Sequence, residues 1–95
     1  MTNEEFLKEL ARVRALVAVR LEQIRAGQQV HSTEEEILFF LQNLDDVEKE
    51  VRSGSFALPR GQRTLACAER VGDTWPYSDP LGLELVSLDS AYRKL

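Results

Sequence analysis

Ser32-Thr33-Glu34-Glu35-Glu36-Ile37-Leu38-Phe39-Phe40-Leu41-Gln42-Asn43-Leu44-Asp45-Asp46-Val47-Glu48-Lys49-Glu50-Val51 is the stretch that decides the fold class of this 95-residue chain. Ser32 or Thr33, with Glu35 or Glu36 three residues on, is the capping-box signature of a helix N-terminus. Three glutamates in the first turn complement the positive end of the helix dipole. Ile37, Phe40, Leu44, Val47 and Val51 then recur at steps of three, four, three and four, with Leu41 beside them, and so line one face of an α-helix. Ser53-Gly54-Ser55 ends it.

Upstream, Thr2 and Glu5 stand at capping-box spacing. Phe6, Leu10, Val13, Val17, Leu21 and Ile24 follow as a single stripe, and Gly27 is the stop, since glycine takes the left-handed conformation at little cost. About 24 residues of helix would be roughly 36 Å long, long enough that part of its surface can serve another chain. The short connection Ala26 to Ser32 makes the two helices an antiparallel hairpin.

Downstream, Thr64 to Val71 reads as a short helix ending at Gly72, with Leu65, Ala68 and Val71 on one side. A rival reading pairs Phe56-Ala57-Leu58 with part of the same segment as a hairpin across Pro59-Arg60-Gly61-Gln62. Asp79 as N-cap and Pro80 at the first helical position start a last helix, whose stripe is Leu81, Leu85, Leu88, Tyr92 and Leu95. The expectation is an all-α protein: an antiparallel helical hairpin plus a short middle helix and a C-terminal helix, a three- to four-helix bundle forming a single domain over residues 1–95.

Composition narrows the class. A hydrophobic fraction of 43% and a charged fraction of 29% are those of an ordinary globular chain. One cysteine, Cys67, cannot form an internal disulfide, and the N-terminus lacks a basic, then apolar, secretory pattern. The longest apolar run, Ile37 to Leu41, falls far short of the roughly 20 residues of a membrane span. A cytoplasmic protein without membrane contact is expected.

Little in the chain points to catalysis. His31, the only histidine, has no triad or ligand partner at a motif spacing and reads as an exposed or capping loop residue. Cys67, among alanines, reads as a small core residue. Adjacent carboxylates on a helix diverge by about 100°, so Glu34-Glu35-Glu36 and Asp45-Asp46 do not converge on a metal. No phosphate loop, EF-hand or cysteine cluster is present. No enzyme activity and no cofactor are expected.

Charge is the informative feature. Residues 34–50 hold seven carboxylates against Lys49, while residues 1–33 and 51–95 each balance at +1, so the net −4 resides in this helix. Such a face points to a basic partner. Phe39 faces away from the buried stripe, among Glu35, Glu36, Gln42, Asn43 and Asp46. Exposed, it would be a binding anchor with an acidic rim; covered by the short helix or the C-terminal segment, it would be core. Trp75-Pro76-Tyr77 is a second candidate, either a plug for the end of the bundle or a stiff aromatic contact. Arg52, Arg60, Arg63 and Arg70 form a locally basic stretch, against a chain pI near 5.0.

Glu5-Phe6-Leu7, Ser32-Thr33-Glu34-Glu35-Glu36, Ser53-Gly54-Ser55 and Asp79-Pro80-Leu81-Gly82 together resemble the small acidic immunity proteins that neutralise colicin-type nuclease toxins. Trp75-Pro76-Tyr77 stands where that family carries a tyrosine pair before a proline, and residues 58–72 have no counterpart there. The resemblance implies a cytoplasmic four-helix inhibitor that binds a basic toxin domain. The leading expectation is therefore a non-enzymatic protein-binding module that presents Glu35, Glu36, Phe39, Asn43 and Asp46, with Trp75 and Tyr77, to a basic protein. One alternative is a structural or adaptor protein that homodimerises through its long helices, the first extending beyond its own domain and burying Leu16 and Val19 at a twofold contact. Another is a small regulator that contacts nucleic acid through Arg52 to Arg70.

Overall fold

Four helices form in the computed structural model, which describes residues 1–95: α1 (Asn3–Arg25), α2 (Glu34–Ser53), α3 (Ala66–Thr74) and α4 (Pro80–Arg93), with no strand. Three of them start where their caps stand in the sequence. The Thr2 hydroxyl accepts from the Glu5 amide at 3.1 Å, and the Glu5 carboxylate accepts from the Thr2 amide at 3.0 Å. Thr33 caps α2 through the Glu36 amide, and Asp79 caps α4 through the amides of Leu81 and Gly82. Gly54 closes α2 at φ +70°, a left-handed conformation that a side chain would strain.

α3 departs from expectation at both ends. It begins at Ala66 and runs through Gly72 to Thr74, so Gly72 lies inside the helix and does not end it. Its stop is Pro76, whose ring forces the preceding residue out of the helical region; Trp75 accordingly sits at φ −91°, ψ 150°. Its start has no side-chain cap of its own. The Leu65 amide donates instead to Asp89 of α4 (2.7 Å) and the Cys67 amide to Asn43 of α2 (3.1 Å). The hairpin alternative for residues 56–71 is excluded. Residues 55–64 form an irregular connection pinned by Arg63, which lies over the Phe56 ring and donates to the carbonyls of Leu58 and Leu95.

α1 and α2 are antiparallel, as the cross-links Arg14–Asp45 and Arg25–Glu34 show. α4 lies antiparallel to α1, and α3 closes the ring between α2 and α4, leaving α2 and α4 diagonally opposed. The predicted stripes form one core: Phe6 to Leu21 of α1, Ile37 to Val51 of α2, Leu65 to Val71 around α3, and Leu81 to Tyr92 of α4. At 23 residues, α1 matches the 39 Å long axis of the molecule. Leu16 and Val19, on its outer side, are exposed. No helix is long and apolar enough to cross a membrane.

A polar knot holds one end of the bundle. Arg20 of α1 donates to both Asp79 oxygens (3.0 and 3.1 Å) and to the Ser32 hydroxyl (3.2 Å). The side chains of Arg20 and Asp79 are only 12% and 6% exposed. His31 Nε2 stands 2.8 Å from the second Asp79 oxygen. The Trp75 ring packs beneath, 5.3 Å from the Arg20 guanidinium, edge-on to His31 and tilted against Phe40. One carboxylate thus ties together α1, the α1–α2 connection and the first turn of α4. Asp79→Ala removes that cap and strands Arg20, and we expect a loss of about 3 kcal/mol or more in urea denaturation. Asp79→Asn, which can still cap, should lose less; a loss below about 1 kcal/mol for the alanine variant would deny the knot a structural role.

Candidate interaction surface

Helical geometry sets which α2 side chains face outward. Glu35, Leu38, Phe39, Gln42, Asp46 and Lys49 fall within an arc of about 100° opposite the buried stripe. Phe39 is 48% exposed; one flank of its ring leans edge-on against Phe40, at 6.2 Å between centroids, and the other meets solvent. Neither α3 nor the C-terminal segment covers it, so of the two placements the sequence allowed, the exposed one holds. Leu38, beside it, is exposed as well. Thr33, Glu35, Glu36, Phe39 and Arg70 line a shallow cleft of about 340 Å³ where the N-terminal end of α2 meets α3.

The acidic face is narrower than the charge count implied, because basic side chains from α1, α3 and α2 itself lie against it. Glu34 pairs with Arg25 (2.6 Å), Asp45 with Arg14 (2.7 Å) and Glu48 with Arg52 (2.8 Å). Glu36 accepts from Arg70 (3.1 Å) and from the Trp75 indole (2.8 Å). Glu50 accepts from the Tyr92 hydroxyl and from the Ala57 amide. Glu35, Asp46 and Glu50 meet no cation: Asp46 accepts only from Gln42, and the partners of Glu50 are neutral. Exposed pairs of this kind add little stability. Their consequence is electrostatic: two uncompensated carboxylates, Glu35 and Asp46, flank Phe39, where the sequence offered three.

Three of the expected contact residues turn inward. Glu36 keeps only 12% of its side chain exposed and anchors Trp75. Asn43 is spent on the N-terminus of α3. Trp75 is 6% exposed and is the plug of the polar knot, not a contact surface. Tyr77 is fully in solvent, but on the α3–α4 side, where it borders a different groove. The outward strip therefore keeps Glu35, Phe39 and Asp46, and gains Leu38.

Other candidates resolve to packing. The Cys67 thiol is enclosed, and burial pushes it up to about 12, far from a nucleophile. Among the basic stretch, Arg52 and Arg70 are paired and Arg63 is buried on carbonyls; only Arg60 stands unpaired, so no basic patch is assembled there. Leu83 and Val86 of α4, which the sequence reading passed over, are both exposed. The signal was present: each falls off the Leu81, Leu85, Leu88 stripe, as Phe39 falls off that of α2.

No protein-family model matches the chain, and no curated protein or solved structure matches it either.

Four carboxyls are held below their usual values: Glu5 by its bonds with Thr2, Glu84 by the bond from Arg12, and the two between helices, Asp45 and Asp79. Asp45 lies below its usual value because it accepts from Arg14. Burial pushes Asp79 up, but the bonds from Arg20 and from the Leu81 and Gly82 amides outweigh it, and the group ends lowered. A lowered carboxyl contributes stability above its unfolded-state value and loses it as pH falls through the folded one. Denaturation followed by circular dichroism should therefore show stability falling from about pH 4 downwards. The Asp45→Asn, Asp79→Asn double variant should show a shallower slope; an unchanged slope would place the acid sensitivity elsewhere.

Proposed function

We propose that this protein is a non-enzymatic protein-binding module that docks through the outer strip of α2. In its most specific form it is an immunity-type inhibitor that occludes the working surface of a basic partner, such as a nuclease toxin domain. The observation that carries this reading is the exposure of Phe39, a large aromatic with Leu38 beside it and uncompensated carboxylates, Glu35 and Asp46, on its flanks. An aromatic anchor with a charged margin is the arrangement that concentrates binding free energy at a protein interface.

The division of labour follows from the geometry. Phe39 and Leu38 supply the apolar area that must be desolvated. Glu35 and Asp46, helped by the net charge of −4, speed the encounter with a positive surface and select against acidic ones. With four of the seven α2 carboxylates already paired with cations within the chain, the partner needs only a pair of cations flanking an apolar pocket. Neither the fold nor the knot at Asp79 depends on these outward side chains, so they can be changed without unfolding the bundle.

The test is a Phe39→Ala, Asp46→Lys double variant, compared with the parent chain as bait in a native lysate washed at low and at high salt. The parent should retain a basic protein at low salt and release it at high salt. The variant should retain it more than tenfold less well, in keeping with a hot-spot loss of about 2 kcal/mol. Equal retention with equal salt dependence would remove the α2 strip as the docking face.

A further inference from the structure

The side of the molecule diagonal to α2 carries a second exposed apolar surface, built on the first two turns of α4. Two grooves flank those turns. One, of about 370 Å³, runs over α3 and is lined by Val71, Gly72, Trp75, Tyr77 and Val86 among others. The other, of about 250 Å³, lies against α1 and is lined by Leu16, Val19, Gln23 and Pro80, with Arg20 and Glu84 at its edge. Leu83, 59% exposed, is the ridge between them.

Two features of this surface stand out. The first is its charge. No ionisable carboxylate or cation lines the groove over α3, and in the other groove Arg20 is bonded to Asp79 and Glu84 to Arg12. The second is Gly72. It lies inside α3 with an ordinary negative φ, and nothing in the chain comes within 4 Å of where its Cβ would sit. Glycine is a poor helix former, and neither backbone geometry nor crowding within this chain calls for one here. The space above it is open to something outside the chain.

We infer that this surface binds a second copy of the chain, α4 against α4 about a twofold axis, with Leu83 of each copy seated in the groove over Gly72 of the other. Two copies each carrying −4 repel, so they meet at least cost through grooves whose lining charges are paired within the chain. A ridge beside a groove on one surface is self-complementary under a twofold, as an isologous interface requires. The exposed side chains of Leu16, Val19, Tyr77, Leu83 and Val86 offer on the order of 600 Å² per copy, against about 800 Å² per partner in an interface of standard size. Pairing on this side leaves both α2 strips facing outward.

Sedimentation equilibrium from low micromolar to near-millimolar concentration tests the inference, with circular dichroism as the check on folding. The parent should dimerise, and added salt should leave the dimer unchanged or strengthen it. Leu83→Glu, at an exposed position, should weaken association at least tenfold. Gly72→Leu should do the same while raising the thermal midpoint of the monomer, because it fills the groove with a better helix former. A purely structural role for Gly72 would not separate those two effects. A strict monomer at near-millimolar concentration would overturn the inference and leave the groove to a different chain. A dimer that survives both changes undiminished would overturn it too, as would one abolished by Phe39→Ala.

Discussion

The bond between Arg20 and Asp79 is the constraint on which the rest of this structure depends. It places an ion pair where little water reaches, and such a pair is retained only if the remaining hydrogen-bonding positions are filled. They are: Ser32, the amides of Leu81 and Gly82, and the His31 ring complete it. Because these groups belong to α1, to the connection after it and to the start of α4, the bond sets the direction in which α4 leaves its cap. That direction lays Leu85, Leu88 and Tyr92 along the groove of the α1–α2 hairpin and leaves Leu83 and Val86 outside. Trp75, packed under Arg20, carries the same constraint into α3, and its indole passes it to Glu36 on α2.

How the charge of α2 is used follows from the same geometry. A helix with seven carboxylates in seventeen residues looks like a ligand for something basic. Once folded, it is first of all a ligand for its own chain, with Arg14, Arg25 and Arg70 arriving from α1 and α3. What is left over around the exposed aromatic side chain is small and local: Glu35 and Asp46. The reduction favours discrimination over raw attraction, since a partner must match both a hydrophobic anchor and the spacing of two charges.

Much of the architecture was legible before any coordinates. The caps at Thr2, Thr33 and Asp79 and the 3.6-residue stripes of α1, α2 and α4 are local signals, and local signals survive folding. α3 was harder because its N-terminal caps, Asn43 and Asp89, are each 24 residues away in sequence. Its stop differs from the expected one for another reason: Pro76 is a stronger breaker than Gly72, which the helix carries inside it. The site was legible in outline. Phe39 could be placed on the outer arc, but Glu36 and Asn43 lie where that arc meets α3, and a helical wheel cannot say which edge positions a neighbour will claim. The Arg20–Asp79 bond spans 59 residues and left no sequence signal at all.

The borrowed caps of α3 bear on how sequence changes would propagate. Nine residues are fewer than a helix needs to persist alone in water, and two of the amides at its start, those of Leu65 and Cys67, are satisfied by side chains of α4 and α2. α3 is therefore less an independent element than a record of whether its two neighbours are in register. Substitutions on its exposed side can be absorbed as long as those acceptors stay in place. Loss of the acceptor at Asn43 or Asp89 would instead be felt in a helix to which neither residue belongs.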